Sequence, residues 1–211
     1  MKLKNVFYIN LDSRKDRRKF VENELNQLGW EYERFDAIKN NVGAIGCSFS
    51  HLKVIMNAKE QNLDYVVVLE DDAEFLKKDF INNEIEKVFN TDISYDVLLL
   101  AGNIRPPVIK NTEYEHLSLH QIKKSWCGTA YIVPNHYYDT LINNIRDGLR
   151  HFLKNPDKGY LYAWDCWWMK LQEKDKWLII LPRTVVQRAD YSNIEERNVD
   201  YRHLMSDIGK T

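Results

Sequence analysis

An uninterrupted run of largely apolar residues, Tyr65-Val-Val-Val-Leu69, is the feature that most constrains how this chain can fold. Because apolar and polar residues do not alternate along it, the run predicts a strand that is buried on both faces. Three acidic residues, Glu70-Asp71-Asp72, follow it directly, with Glu74 just beyond. The most hydrophobic predicted strand therefore ends in a cluster of carboxylates.

Five other short apolar runs are separated by segments of helical periodicity, and this alternation predicts an α/β fold. We expect an open, mostly parallel sheet with flanking helices, whose ligands bind at the carboxyl ends of the strands. Asp12 or Ser13 is expected to cap the first helix, Ser48 the second, and Pro134 to begin a later one. Residues 104–124 are expected to be loop or edge strand. The predicted strands are residues 6–9, 32–35, 65–69, 97–101, 131–133 and 178–181.

Composition excludes several classes of function. The net charge is −1, so no overall electrostatic field favours binding to nucleic acid or to an anionic membrane. No apolar run is long enough to span a bilayer, and the first residues lead directly into a strand pattern, so neither a transmembrane segment nor a signal peptide is expected. The three cysteines have no metal-site or disulfide spacing. A cytoplasmic location is expected, in the host cytoplasm if the protein is viral.

The acidic triplet is the strongest local indication of chemistry. Carboxylates crowded at the end of a sheet are tolerated when a cation lies among them, and their hard oxygens suit Mn²⁺ or Mg²⁺. Asp72 is the expected direct ligand, because it lies furthest out of the sheet. Glu70 and Asp71 would bind through water or hold a sugar hydroxyl. The alternative is a solvated acidic turn before the next helix.

Two further segments are expected near the same edge of the sheet. Residues 10–18 place four cations around a helix start, where Arg14 or Arg17 could bind phosphate, although mixed charges there often form a solvated face. Residues 43–51 form a glycine-containing segment that is expected to be a loop before a helix. Ser50 and His51 would then lie in the first helical turn and contact the donor, although a single histidine is more often structural.

Asp165 lies among aromatic residues in Tyr162-Ala-Trp-Asp-Cys-Trp-Trp168. A partly desolvated carboxylate has a raised pKa and suits a general base that takes a proton from an acceptor hydroxyl. The alternative is that Asp165 caps a helix that carries Trp164, Trp167, Trp168 and Leu171 on one face.

Three ordered motifs resemble glycosyltransferase family 25, which includes lipopolysaccharide glycosyltransferases, collagen-type galactosyltransferases and related enzymes of large DNA viruses. They are Phe7-Tyr-Ile-Asn-Leu-Asp-Ser-Arg-Lys-Asp-Arg-Arg18, Gly43-Ala-Ile-Gly-Cys-Ser-Phe-Ser-His51 and Val68-Leu-Glu-Asp-Asp72. Residues 128–133, 182–187 and 192–194 resemble later parts of the family pattern. The triplet here is E-D-D, where the family motif is written D-x-D.

The resemblance implies a GT-A-like fold, a UDP-sugar donor, Mn²⁺ (or Mg²⁺) and a glycan or glycoprotein acceptor. The metal ligands would be Asp72 and Glu70, with Asp72 also a catalytic residue. Asp165, the second expected catalytic residue, is assigned to no position of the family pattern, and its role rests on its aromatic surroundings. An inverting reaction is favoured, with retention left open. The resemblance implies donor-binding roles for Tyr8, Asn10, Asp12, Arg14, Asp36 and Ala37. Ser50, His51, Glu70 and Asp71 are expected at the donor from their positions in the chain.

One glycosyltransferase domain is expected over residues 1–211, with a nucleotide-binding half at 1–103 and an acceptor-side half at 104–211. The sequence is equally consistent with a piece excised from a longer chain. The alternative functions are a nucleotide-sugar hydrolase or nucleotidyltransferase, and a non-catalytic module that binds nucleotide sugars or glycans.

Overall fold

A computed structural model describes residues 2–110 and 114–206 of the chain. The helices are α1 Lys15–Leu28, α2 Gly43–Glu60, α3 Lys78–Phe89, a 3₁₀ turn Asn135–Tyr137, α4 Tyr138–Lys154, α5 Gly159–Tyr162, α6 Trp164–Trp167, α7 Met169–Gln172 and α8 Arg202–Met205. The strands are β1 Val6–Asn10, β2 Tyr32–Asp36, β3 Tyr65–Glu70, β4 Ala73–Phe75, β5 Val97–Leu99, β6 Asn103–Ile104, β7 Val108–Lys110, β8 Leu119–Ile122, β9 Ser125–Trp126, β10 Ala130–Pro134, β11 Trp177–Ile180, β12 Val185–Gln187, β13 Asp190–Ser192 and β14 Arg197–Val199.

The central sheet has the strand order β2-β1-β3-β10-β5-β11-β8-β7. Only β10 and β8 run against the other strands in the described part of the chain, since each pairs antiparallel with both of its neighbours. The predicted α/β fold, an open and mostly parallel sheet flanked by helices, is confirmed. Each of the six predicted runs supplies one strand of this sheet.

The position of β10 differs from the sequence expectation. The expected nucleotide-binding half ends at residue 103, but β10 of the other half lies between β3 and β5, where Tyr131 is the register partner of both Val68 and Leu99. Hydrophobic runs predict where strands lie along the chain but not which strands pair, because pairing depends on distant parts of the chain. The halves 1–103 and 104–211 therefore interleave within one sheet.

Two helical starts also differ from expectation. The α1 helix begins at Lys15 after Arg14, without a side-chain cap from Asp12 or Ser13, and it ends at Gly29 as expected. The α2 helix begins at Gly43, so Ser48 is not its cap but an interior residue whose hydroxyl donates to the Ala44 carbonyl at 2.8 Å. The segment 43–51 is therefore helical throughout.

Apolar residues pack on both faces of the sheet. One face is covered by α1 and α3, and the other by α2 and α4. Leu141, Ile142 and Ile145 of α4 form a buried stripe against the sheet.

The helix expected to carry Trp164, Trp167, Trp168 and Leu171 on one face is instead two short helices, α6 and α7. Residues 104–124 contain strand β8 and the edge strand β7 of the central sheet, although 111–113 lie outside the described residues. None of the described helices is both long and apolar enough to cross a membrane.

Candidate active site

A cavity of about 340 Å³ lies at the carboxyl ends of β1, β2 and β3. The residues that follow these strands form three of its sides, the first turns of α2 form its base, and residues near the C-terminal end close it. Ligands of mostly parallel sheets bind at this edge, and the volume is within the range of small-molecule sites. The lining is Ile9, Leu11, Ser13, Arg14, Arg17, Ala37, Ile38, Lys39, Asn40, Asn41, Gly43, Cys47, Ser50, His51, Glu70, Asp71, Asp72, Gln187, Ser192, Asn193 and Ile194.

Arg14, Arg17, Asp71 and Asp72 line one side of the cavity, and Asp190 pairs with both arginines without lining it. We name these five residues the charged wall. The Arg17 Nη1 donates to Asp71 Oδ1 at 3.0 Å and to Asp72 Oδ2 at 2.8 Å, while its Nε donates to Asp190 Oδ2 at 3.1 Å. Arg14 Nη2 donates to the same Asp190 oxygen at 2.8 Å. One guanidinium thus ties the end of β3 to α1 and to the C-terminal segment.

The carboxylates of the charged wall are short of cationic partners. Burial raises the pKa values of Asp71 and Asp72, and repulsion from Asp72 adds to the shift of Asp71 while repulsion from Glu70 adds to the shift of Asp72. The attraction of those two carboxylates and of Asp190 raises the pKa of Arg17 despite its burial, so Arg17 stays charged. With all groups ionised, two guanidinium groups face three carboxylates in this wall, which leaves one negative charge. A phosphate ligand would therefore require additional positive charge here.

Asp72 fits the expected hard-cation ligand. Its Oδ2 accepts hydrogen bonds from Arg17 and from Gln187 Nε2 at 3.1 Å, but its Oδ1 is buried and has no hydrogen-bond partner among the described residues. A buried carboxylate oxygen without a partner is costly unless a cation or water satisfies it. The donor set here, carboxylate oxygens of Asp72 and Asp71, is the kind that Mn²⁺ and Mg²⁺ prefer.

The base of the cavity, which we name the thiol–imidazole floor, consists of Cys47, His51 and Glu70. Glu70 Oε1 lies 3.2 Å from His51 Nε2 and 3.7 Å from Cys47 Sγ. The other ring nitrogen, His51 Nδ1, lies 2.9 Å from the Tyr131 hydroxyl. The imidazole ring stacks on the Trp164 ring, with 3.8 Å between the ring centroids. Glu70 is therefore turned away from the arginines and toward α2.

Burial shifts the pKa values of the floor. It raises the pKa of Glu70 to about 7, with the neighbouring Asp71 adding to the shift. It lowers the pKa of His51 to about 3, so the imidazole is neutral at physiological pH. It also raises the pKa of the Cys47 thiol. The floor therefore holds little charge by comparison with the charged wall.

A close contact between α2 and the segment after β2 shapes the cavity. A Cβ atom on Gly46 would lie 2.4 Å from the Ile38 carbonyl oxygen, so only glycine allows this approach. The Ser50 hydroxyl then accepts a hydrogen bond from the Ile38 amide at 2.9 Å and donates to the Gly46 carbonyl at 2.8 Å. Ser50 thus fixes residues 37–41 against the helix.

Seven of the predicted site residues line the cavity together. Ser50 and His51 do so from the third turn of α2 and not from its first, because the helix begins at Gly43. His51 is fully buried by its neighbours, so its contact with the cavity is through its ring edge. The seven are Arg14, Ala37, Ser50, His51, Glu70, Asp71 and Asp72.

Five predicted residues do not line the cavity. Tyr8 is fully buried and its hydroxyl donates to Glu22, while Asn10 Nδ2 donates to Asp71 Oδ2 at 2.7 Å and so positions that carboxylate. Asp12 is exposed, and Asp36 pairs with Arg34 at 2.8 Å. Asp165 is partly exposed and is not among the residues that line the cavity.

Asp165 lies at the start of α6, where its Oδ2 accepts a hydrogen bond from the Cys127 amide at 3.1 Å. Burial raises its pKa, and the Glu70 carboxylate adds to the shift. The raised pKa agrees with the sequence expectation. Its proposed role as a base stays a prediction.

Sequence reasoning missed several residues of the site. Gln187, Asp190 and Asn193 come from the far end of the chain, and Asn193 Oδ1 accepts a hydrogen bond from Arg14 Nη1 at 2.6 Å. The resemblance at residues 182–187 and 192–194 marked this segment without assigning a role to it. Cys47 lies four residues before His51, a spacing that places both side chains on one helical face.

A curated protein resembles part of the chain. It is a "Glycosyltransferase 25 family member" from Drosophila pseudoobscura pseudoobscura, and it is 27% identical over 101 residues, which cover 35% of this chain and 16% of the relative. The chain thus spans less than a fifth of that relative's length.

Two solved structures resemble the chain at low sequence identity. Mannose-1-phosphate geranyltransferase from Thermus thermophilus matches with a TM-score of 0.43 and 10% identity, over 84% of this chain and 58% of that one. A glycosyltransferase involved in the glycosylation of the major capsid of PBCV-1 matches with a TM-score of 0.44 and 9% identity, over 85% of this chain and 93% of that one.

The sequence profile of glycosyltransferase family 25 (LPS biosynthesis protein) matches residues 3–43 and 41–147, which is more than half of the chain. The matched residues include β1, β2 and β3, the charged residues of α1 and the whole of α2. The chain therefore belongs to glycosyltransferase family 25.

Proposed function

We propose that the protein is a metal-dependent glycosyltransferase that moves a hexose from a UDP-sugar to a hydroxyl group of a glycan or glycoprotein. The observation that carries the proposal is the cavity at the ends of β1, β2 and β3, where the unpaired Asp72 oxygen lies in a wall of buried carboxylates. Family membership supports the reaction class. The buried carboxylates support the dependence on a divalent cation.

The donor diphosphate would lie between the charged wall and the beginning of α2. Gly43 is the first residue of this 18-residue helix and lines the cavity, so amide groups at the positive end of the helix dipole are available to an anion. Lys39 lines the same side and is exposed. Ala37 and the amides of Asn40 and Asn41 would contact the ribose or the base.

Asp72 Oδ1 and Asp71 would hold Mn²⁺ or Mg²⁺, while Glu70 would contact the cation through water or the donor sugar. A bound divalent cation would neutralise negative charge on the departing diphosphate. Arg17 keeps Asp71 and Asp72 ionised and fixes their orientation, and Asn10 fixes Asp71 from the other side. These contacts preorganise the site, so little reorganisation is needed when the donor binds.

Asp165 is the proposed general base for the acceptor hydroxyl, in an inverting reaction. Its carboxylate is anchored through Oδ2 by the Cys127 amide, and its raised pKa makes it a better proton acceptor near neutral pH. The Asp165→Asn variant keeps the size and the polar contact of this side chain. It should lower the maximal rate without weakening donor binding.

The test is the release of UDP from UDP-galactose, UDP-glucose and other UDP-sugars with Mn²⁺, in the presence and absence of glycan and glycoprotein acceptors. A transferase should release UDP faster with a suitable acceptor, and the acceptor should gain the mass of one hexose. Equal release with and without every acceptor would indicate a nucleotide-sugar hydrolase. Binding of UDP without any turnover would indicate a non-catalytic module, and either result would overturn the proposal.

A further inference from the structure

The thiol–imidazole floor brings together three side chains that bind metals in proteins. Cys47 Sγ, His51 Nε2 and Glu70 Oε1 all lie within 4.8 Å of one another. Cys47 and His51 come from successive turns of one face of α2, and Glu70 comes from the last position of β3. The three donor atoms are thus held by two regular elements that pack on each other, and not by loops.

The spacing of these atoms suits a small cation. Zn²⁺ bonds of ~2.0–2.3 Å in tetrahedral geometry separate the ligand atoms by about 3.3–3.8 Å. The separations from Glu70 Oε1, which are 3.2 Å to His51 Nε2 and 3.7 Å to Cys47 Sγ, already have these values. Only the distance between sulfur and imidazole nitrogen needs to close, by up to about 1 Å, which would take small adjustments of the Cys47 and His51 side-chain torsions within their present rotamers.

The surroundings of His51 favour the same role. The Tyr131 hydroxyl is hydrogen-bonded to His51 Nδ1, and the stacked Trp164 ring fixes the plane of the imidazole. The other nitrogen, Nε2, therefore points toward Glu70 Oε1. A partner on one ring nitrogen that orients the other toward a metal is the usual arrangement around metal-bound histidines. All three ligand residues line the cavity, which gives an ion a path from solvent and leaves a fourth position for water.

We propose that Cys47, His51 and Glu70 form a binding site for a borderline-soft divalent cation of the Zn²⁺ class, separate from the charged wall. A thiolate and a carboxylate balance the two charges of the ion, so the occupied floor is neutral although it is buried. Thiolate and imidazole ligands select such ions over Mn²⁺ and Mg²⁺, which prefer the oxygen atoms of Asp71 and Asp72. Glu70 takes part through Oε1, and its Oε2 lies 3.4 Å from the Thr129 hydroxyl.

The test uses Co²⁺ as a spectroscopic probe of chelator-treated protein, with no nucleotide sugar present. The wild-type chain should bind one Co²⁺ with the thiolate-to-metal charge-transfer absorption and the strong visible bands of a tetrahedral site. Zn²⁺ should displace it and abolish both. The Cys47→Ser variant keeps the size of the side chain and should lose the charge-transfer absorption and at least ~10-fold in Co²⁺ affinity.

Two variants locate the site. Cys166→Ser removes a thiol of α6 outside the cluster and should leave the Co²⁺ spectrum unchanged, as should Asp72→Asn in the charged wall. Zn²⁺ should also raise the melting temperature of the wild type and of Cys166→Ser but not of Cys47→Ser. Absence of the charge-transfer absorption in the wild type, its persistence in Cys47→Ser, or its loss in Cys166→Ser would overturn the proposal. Because no donor or acceptor enters this experiment, its failure would leave the glycosyltransferase proposal untouched.

Discussion

The charged wall and the thiol–imidazole floor border the same cavity, but they are stabilised in different ways. The charged wall joins α1, the end of β3 and the C-terminal segment through ion pairs that converge on Arg17. The floor is held by burial and ring stacking, and its histidine is neutral. One cavity therefore presents carboxylate oxygens on one side and a thiol with an imidazole on another, and the two regions meet where Glu70 of the floor precedes Asp71 of the wall in the chain.

The difference predicts separate consequences for substitutions in the two regions. Removal of a charge from the wall should change metal-dependent donor binding and should leave other buried charges without a partner. Changes at the floor should alter the pH dependence of stability and the binding of soft metals.

Asp72→Asn should lower the rate of transfer about 1,000-fold, or about 4 kcal/mol. The amide oxygen would accept from Arg17 and Gln187, so an uncharged nitrogen would face the proposed metal position. Steady-state kinetics with saturating Mn²⁺ measures the effect, and circular dichroism checks that the variant is folded. Asp157→Asn, an exposed position before α5, is the matched control and should retain wild-type rates. Loss of less than about 10-fold in Asp72→Asn would mean that the wall does not hold the catalytic cation.

Arg17→Gln should lower the free energy of unfolding by about 3 kcal/mol, since it leaves three carboxylates without their shared guanidinium. Urea unfolding measures this loss. Mn²⁺ should stabilise this variant more than the wild type, because a divalent cation can replace the missing charge.

Arg18→Gln is the control for Arg17→Gln, since Arg18 is the next residue of α1 and pairs at the surface with Glu22. It should change stability little. Equal destabilisation by the two substitutions would show that the ion pairs of the charged wall contribute no more to stability than the surface pair of Arg18 and Glu22.

Gly46→Ala should destabilise the protein by about 2 kcal/mol, because its Cβ would meet the Ile38 carbonyl at 2.4 Å. The sign of the change in unfolding free energy is informative, since a glycine-to-alanine substitution in an ordinary helix interior stabilises a protein by ~1 kcal/mol. Thermal or urea unfolding gives the sign directly. A stabilised variant would mean that residues 37–41 do not pack closely on α2.

Glu70→Gln should remove part of the pH dependence of stability. With a pKa of about 7 in the folded chain and an ordinary value of 4.5, Glu70 binds more protons when folded, so the free energy of unfolding falls as pH rises between these values. The full shift corresponds to about 3 kcal/mol, which partial exposure of the side chain reduces to about 1–2 kcal/mol.

The difference between wild type and Glu70→Gln is the quantity to measure, from pH 5 to pH 8, because the lowered pKa of His51 acts in the opposite direction below pH ~6.5. Glu60→Gln, at the exposed end of α2, should follow the wild type across this range. Parallel curves for wild type and Glu70→Gln would place the Glu70 carboxyl in a water-like environment.

The charged wall could be predicted in large part from the sequence. Hydrophobic runs located the strands, and the carboxyl ends of parallel neighbours lie at one edge, so Arg14, Asp71 and Asp72 were expected together. The ion pairs of Arg14 and Arg17 with Asp190 were not predicted, because they join residues more than 170 positions apart in the chain. No local pattern encodes which arginine of residues 14–18 turns inward.

The thiol–imidazole floor was harder to predict, because it depends on where α2 begins. Gly43 and Gly46 were expected in a loop because of their low helix propensity, whereas Gly46 is required by the packing of α2 on Ile38. That error placed Ser50 and His51 in a first turn. In addition, β10 supplies Tyr131, the partner of His51, and its insertion beside β3 is a long-range pairing that periodicity does not show.

The measurement that most directly tests the account is a calorimetric titration of UDP into the wild-type chain and into Asp72→Asn, each with Mn²⁺ and with a chelator. We expect UDP to bind the wild type at least ~10-fold more tightly with Mn²⁺ than with the chelator, and Asp72→Asn to lose this difference. Equal affinity of the wild type with and without Mn²⁺, or an unchanged metal effect in Asp72→Asn, would contradict the assignment of the charged wall as the donor and metal site.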